Sequence, residues 1–230
     1  MFVLNERTAE YTEKHFVVDK KRIFVVANGV NCDEYTPISE EEKIKIREKY
    51  GLVGKEVILQ VGSIYENKGQ GKTVELIAPY LKNNKNSVFA YVGGIVSDEY
   101  FETVKKMASD LGVNEQVVYL GSASPGAEMN GIYNIADATV FVSRYEAFGL
   151  VAIESLAASV PVIVCSDNVR NFGDGCIMCD EKEFMNVIES LHNQECEVLK
   201  QKARNNALIN YSWEKIAKDH SGIFKSYNKK

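Results

Sequence analysis

The sequence predicts an α/β fold: a Rossmann-like, doubly wound parallel sheet of about six strands. Three observations predict it. Six short apolar runs recur from residue 56 onward. Amphipathic stretches separate them. Several runs end directly in glycine-containing loops. Strands that are apolar at nearly every position suit a sheet covered on both faces, and strands alternating with helices suit parallel crossovers.

The runs are EVILQV (56–61), SVFAYV (87–92), QVVYL (116–120), ATVFV (138–142), PVIVC (161–165) and CIMC (176–179). The intervening periodicity predicts helices over 70–84, 97–111, 126–135 and 149–158. Before residue 56 the alternation is different. Residues 2–4 read as a strand, 5–16 as a short helix and RIFVV (22–26) as a second strand. The stretch ANGVNCDEYTP (27–37) carries turn residues and no core pattern, so it reads as a linker. Ser39 with Glu42 makes a capping box, and Gly51 is placed to end the helix that follows. At the far end, YSWEKIAKDHSGIFKSY (211–227) reads as a helix capped by Ser212, with Trp213, Ile216, Ala217, Ile223, Phe224 and Tyr227 on one stripe. The domains so predicted are an N-terminal remnant (1–26), a linker (27–37) and a Rossmann-like unit with its closing helix (38–230).

Composition narrows the function. The 230 residues are 45% hydrophobic and 26% charged, an ordinary globular balance. A net charge of -5 without long runs of one sign argues against nucleic acid as the main partner. No apolar run is long enough to span a bilayer, so membrane contact would be peripheral at most. The first residues lack the apolar core of a secretory signal, and a cytoplasmic protein is expected. Five cysteines, Cys32, Cys165, Cys176, Cys179 and Cys196, fit a reducing compartment. Cys176 and Cys179 form a lone CxxC, and CIMC reads as a buried strand rather than a metal site. His15, His192 and His220 are scattered and receive no role.

The chemistry concentrates in SRYEAFGLVAIESLAASVPVIV (143–164). A strand passes through Phe148-Gly149 into a helix, whose first N–H groups have no partner within the helix and can meet an anion. Glu146 lies in the loop. Glu154 lies five residues past Gly149, roughly 7–8 Å along the axis, comparable to the distance from a phosphate to the far side of a ribose. Its helix is apolar nearly all round, so Glu154 needs either a ligand or an internal partner. Phosphate and hydroxyl groups together suggest a nucleotide sugar. VGSIYENKG (61–69) adds Gly62, which lets the backbone approach a ligand, and Lys68, a counter-charge for phosphate. YVGG (91–94) and YLGSAS (119–124) place further glycines at the same sheet edge. No Asp-x-Asp occurs, which removes the commonest carboxylate motif for a metal-bound nucleotide sugar.

EAFGLVAIE resembles the E-x7-E motif of retaining glycosyltransferases of family 4 (group 1). The resemblance runs on through VVANGVNCDEYTP, VGSIYENKGQ, YVGG, VVYLG, IYNIADATVFVS and YSWEKIAKDHSGIFKSY, in the family's order over about residues 22–228. It implies the donor-binding half of a two-domain GT-B architecture. Glu154 would bind ribose hydroxyls, and Glu146 the donor sugar. The backbone of Phe148, Gly149 and Leu150 would position sugar and diphosphate. Gly62, Ser63 and Lys68 would form the diphosphate loop, and the loop at Gly121 would meet the base. Glu146 and Lys68 are then the catalytic candidates, with no metal and no cofactor. The partners implied are a nucleotide sugar and either a missing N-terminal domain or a separate acceptor-domain chain.

Three departures stand out. Ser63 replaces the arginine that usually accompanies Lys68, Ser159 replaces a usual glycine, and the loop after Ser166 lacks a glutamate often found there. Only about 25 residues precede the linker, so the acceptor site is expected to be absent. The chain would then be a fragment, a truncated product or half of a two-chain enzyme. A degenerate nucleotide-sugar-binding or regulatory module is the alternative, and Ser63 is its best support.

Overall fold

A computed structural model describes residues 1–166, 169–191 and 195–227, without the side chains of 195, 196 and 227. Asp167, Asn168, His192 and the side chain of Cys196 therefore lie outside what is described. The sheet is built from β3 (Glu56–Val61), β4 (Ser87–Val92), β5 (Val117–Tyr119), β6 (Ala138–Phe141), β7 (Val162–Val164) and β8 (Cys176–Met178). All pairs are parallel and the spatial order is β5-β4-β3-β6-β7-β8. The chain runs outward from β3 to β5, then returns to the other side of β3. That reversal makes a switch point between β3 and β6, and their carboxyl-end loops border one crevice.

Both faces of the sheet are covered, which is why its strands are apolar throughout. α3 (Gln70–Asn83), α4 (Asp98–Asp110) and α7 (Phe184–Ser190) bury Val74, Ile77, Leu81, Val104 and Phe184 on one side. α5 (Ala127–Asn134), α6 (Leu150–Ala157) and α8 (Glu195–Asn206) bury Ile132, Tyr133, Ile153, Leu156 and Ala203 on the other. α2 (Glu40–Tyr50) starts at the Ser39–Glu42 capping box and ends at left-handed Gly51, as its sequence predicts.

The N-terminal segment makes a small sheet of its own and packs Leu4 against the main core. β1 (Phe2–Val3) and β2 (Phe24–Val25) form a two-stranded parallel sheet, joined through α1 (Glu6–His15), which Asn5 caps. Phe2 packs against His220 and Phe224 of α9 (Trp213–Tyr227) at ring distances of 4.5 and 5.5 Å. Met1, Tyr11, Phe16, Val17, Trp213 and Phe224 remain exposed.

Three sequence readings are corrected. Residues 27–37 do carry core residues: Val30, Cys32 and Tyr35 are buried in the main core. Arg204 holds this segment by donating to the carbonyls of Cys32 and Tyr35, at 3.0 and 2.8 Å, and Val30 pairs with Ser212. The apolar residues are too widely spaced among turn residues to show a period. CIMC is an edge strand, half-buried rather than buried, because among the described residues no strand pairs beyond it. The closing stripe is also uneven. Ile216 is buried, Ile223 is half-buried, and Ala217 is exposed with Trp213 and Phe224. Trp213 lies over Gly29, where an added Cβ would come within 2.6 Å of its ring. The side chain of Tyr227 lies outside the described residues.

Ser159 is the one described non-glycine residue with positive φ, at 65°. Its hydroxyl donates to the Lys200 carbonyl at 2.8 Å, which offsets part of the strain. Ser159→Ala keeps the strain and loses that bond, whereas Ser159→Gly relieves the strain. The glycine variant is expected to be the more stable of the two by about 1 kcal/mol, read from their denaturation midpoints.

Candidate functional site

The β3–α3 loop is fixed from beneath by two buried glutamines. Gln60, inside β3, accepts from Thr73 Oγ1 at 2.7 Å and donates to the Lys68 carbonyl at 2.6 Å. Gln70 donates to the Ser63 carbonyl at 3.0 Å. Gly93 lets the end of β4 close on this loop: a Cβ there would lie 2.1 Å from the Gly62 carbonyl oxygen. Lys68 is thereby aimed into the crevice, where its ammonium pairs with the Glu146 carboxylate. Both side chains are largely buried, 19% and 15% exposed, so the two charges hold one another with little help from solvent.

Asn67 joins the two loops that carry this pair. Its carbonyl accepts from Arg144 N at 2.8 Å, and its side chain accepts from Tyr145 N at 3.2 Å while donating to the Tyr145 carbonyl at 3.0 Å. Glu146 is the next residue. Phe148 and Gly149 then lead into α6. Gly149 has φ 98°, and a Cβ there would strike the Phe172 and Phe141 rings at 2.8 and 2.9 Å. Among the described residues, no protein acceptor pairs with the N–H groups of Gly149, Leu150 or Val151. The positive end of α6 therefore opens onto the crevice beside Glu146.

Glu154, one turn further along α6, has internal partners. Tyr133 donates to its Oε2 at 2.8 Å, and the Tyr35 hydroxyl, which accepts from Gly126 N at 3.3 Å, stands near the same carboxylate. Burial pushes its pKa above the usual carboxylate range although both phenols favour the charged form, and the charge of Glu34 adds to the rise. Tyr133 is itself raised by burial and by the neighbouring Glu154. A carboxylate held this way has a fixed orientation and a desolvated charge, the state of a group prepared to accept from ligand hydroxyls.

Gly121 sits beyond β5, its carbonyl accepting from Gly93 N at 2.9 Å, with open space where a Cβ would point. Gly62, Ser63 and Lys68 follow the carboxyl end of β3, Gly121 that of β5, and Glu146, Phe148, Gly149 and Leu150 that of β6, whereas Glu154 lies a turn into α6 beside Tyr133. A cavity of about 720 Å³ adjoins Glu146 and Phe148, walled on its far side by α1 and by Arg170. Among the described residues no three His, Cys, Asp or Glu side chains converge as a metal-binding group. None of their helices is long and apolar enough to cross a membrane.

The profile of the family described as "Glycosyl transferases group 1" matches residues 42–207. This chain belongs to the group 1 glycosyltransferases. An uncharacterized glycosyltransferase of Methanocaldococcus jannaschii is 28% identical over 227 residues, covering 91% of this chain and 55% of that protein. The mannosylfructose-phosphate synthase of Agrobacterium fabrum is 29% identical over 150 residues, 63% of this chain and 33% of its own length. Among solved structures, Anabaena HepE in complex with UDP and glucose superposes with a TM-score of 0.84 at 17% identity, covering 98% of this chain and 62% of HepE. A glycosyltransferase from Rickettsia africae gives 0.83 at 21% identity, with the same coverage. These structural likenesses show the fold. The group 1 chain described here spans about a third to just over half the length of the curated relatives it matches.

Sequence reasoning named Lys68 and Glu146, which the structure pairs, and missed the polar residues that orient them. Gln60 carried a usable signal, since an amide inside an apolar strand run must find partners. Tyr35, Asn67 and Tyr133 carried none, because their partners lie 21 to 91 residues away in sequence.

Proposed function

We propose that this chain is the nucleotide-sugar-binding half of a retaining glycosyltransferase. The observation that supports the reading is the β3/β6 switch point, where Lys68 pairs with Glu146 just before the open N–H groups of α6, the helix that carries Glu154. A diphosphate meets the α6 N–H groups and Lys68, and the ribose hydroxyls donate to Glu154. Glu146 is released from Lys68 to accept from donor-sugar hydroxyls. As the bond from the anomeric carbon to the phosphate oxygen breaks, charge grows on the diphosphate, and fixed donors with Lys68 stabilise it without a metal. UDP in the HepE complex supports a nucleoside diphosphate as the bound class.

The acceptor is assigned to a second domain, in cis or on another chain. Surface polysaccharide or glycolipid synthesis is the proposed setting. It is supported by similarity to WaaG, a glycosyltransferase involved in lipopolysaccharide biosynthesis, and to a phosphatidylinositol monomannoside mannosyltransferase of Mycolicibacterium smegmatis. Ser63 favours one second reading, a binding module without turnover. Supplying a matching first domain separates the two, since transfer then appears only in the enzyme.

The test is the melting temperature with a panel of nucleoside diphosphates and their sugars. Ligand at about a hundredfold its Kd adds about 2.7 kcal/mol of stability. No shift with any member would reject the reading. Asn67→Ala unties the two loops while leaving every proposed ligand contact in place. It is expected to weaken the stabilising nucleotide by about tenfold through two lost hydrogen bonds, measured by calorimetry.

A further inference from the structure

The charge balance of the crevice leaves a diphosphate short of cations. Lys68 is neutralised by Glu146, and position 63 offers a hydroxyl rather than a charge. Lys72 is engaged by Glu181 at 2.7 Å and Glu75 at 3.7 Å. Arg144 lines a different cavity, which it shares with Glu66, Asp180 and Glu181. Arg7 of α1 lines the cavity beside Phe148 together with Glu6 and has an interaction of its own, and Arg170 is the other arginine there. It lies beyond the carboxyl end of β7, half-buried, and lines the cavity that Glu146 and Phe148 also line. Its guanidinium is stacked 5.5 Å from the Phe148 ring centre and 5.9 Å from that of Phe172. Its hydrogen bonds are two long ones, each 3.4 Å, to the carbonyls of Leu4 and Asn171. Among the described residues no carboxylate pairs with it. A half-buried guanidinium whose planar fork meets no acid is positioned for an anion with several oxygens.

We infer that Arg170 is a phosphate-binding residue of this cavity, supplying the cation that Ser63 does not. The inference rests on the proposed donor-site reading. Phe148 connects the two parts physically: its ring carries the guanidinium, and its chain leads directly into Gly149 and the open end of α6. The phosphate is that of the donor diphosphate or an anionic group of the acceptor. Arg170 recognises either by the same chemistry.

The experiment is calorimetry on the full chain with UDP, GDP, pyrophosphate, and inorganic phosphate added to the UDP-saturated protein. Arg170→Met keeps the stacking on Phe148 without the charge, and Arg170→Lys keeps the charge without the fork. Arg170→Met should weaken UDP or GDP by at least about tenfold, with partial recovery in Arg170→Lys. Loss confined to inorganic phosphate on the UDP-saturated chain assigns the group to the acceptor. Loss of pyrophosphate binding, with no nucleotide binding in the unaltered chain, keeps Arg170 and rejects the donor reading. Unchanged affinity for every probe in a folded Arg170→Met overturns the inference, as does an unaltered chain that binds none of the four. If Arg170→Met does not fold, undiminished affinity of Arg170→Lys for every probe overturns the bidentate role.

Discussion

Lys68→Ala is expected to lose nucleoside-diphosphate affinity by about a hundredfold and to lower folding stability at the same time. The two losses have different causes. Binding falls because the crevice loses its one lysine aimed at the diphosphate. Stability falls because Glu146, 15% exposed, is left as an unpaired carboxylate. Breaking a fully buried pair costs about 3–5 kcal/mol, and partial exposure of both side chains here brings the figure to about 2. The double change Lys68→Met with Glu146→Gln removes both charges. It should regain most of the stability and none of the affinity, as read by denaturant midpoints alongside calorimetry. Equal losses of stability in the single and double variants would contradict the ion pair described here.

Glu154→Gln is expected to move stability and binding in opposite directions. In the folded chain, burial holds this carboxyl above its ordinary value of 4.5. The unfolded chain therefore ionises first, and the contribution of Glu154 to stability falls as pH rises from that value through the folded one. Its desolvation therefore opposes folding at neutral pH. A glutamine accepts from Tyr133 without the buried charge, so the variant should melt higher than the unaltered chain at pH 7 and lack that part of the pH slope. It should bind nucleoside diphosphate tenfold to a hundredfold more weakly, having exchanged a charged acceptor for a neutral one. Thermal melts across pH 4–8, paired with calorimetry at pH 7, measure both. A variant less stable at pH 7 yet equal in affinity would make Glu154 a structural residue.

The sheet was legible because its strands are buried on both faces. The runs at 56–61 and 87–92 coincide with β3 and β4 to the residue. Shorter strands such as β7 lose a residue at each end, where the apolar run outlasts the ladder. The capping box at Ser39–Glu42 was legible because it is local. Long-range polar fixation was not. The Asn67 clasp, the staple from Arg204 to residues 32 and 35, and the bond from Tyr133 to Glu154 all use residues with no periodic or local signature. The E-x7-E spacing located two carboxylates but could not distinguish their environments. One is neutralised by a lysine, whereas the other is held by the Tyr133 phenol and desolvated. Arg170 was invisible for a related reason: its significance depends on what the neighbouring cations are already paired with.

The most direct measurement of the central claim is a calorimetric titration of the chain with UDP and GDP against uridine and guanosine. A diphosphate crevice built from Lys68, Arg170 and the α6 N–H groups predicts saturable binding of at least one diphosphate, with its nucleoside bound at least about a hundredfold more weakly. Equal affinity for diphosphate and nucleoside, or binding of neither, would contradict it.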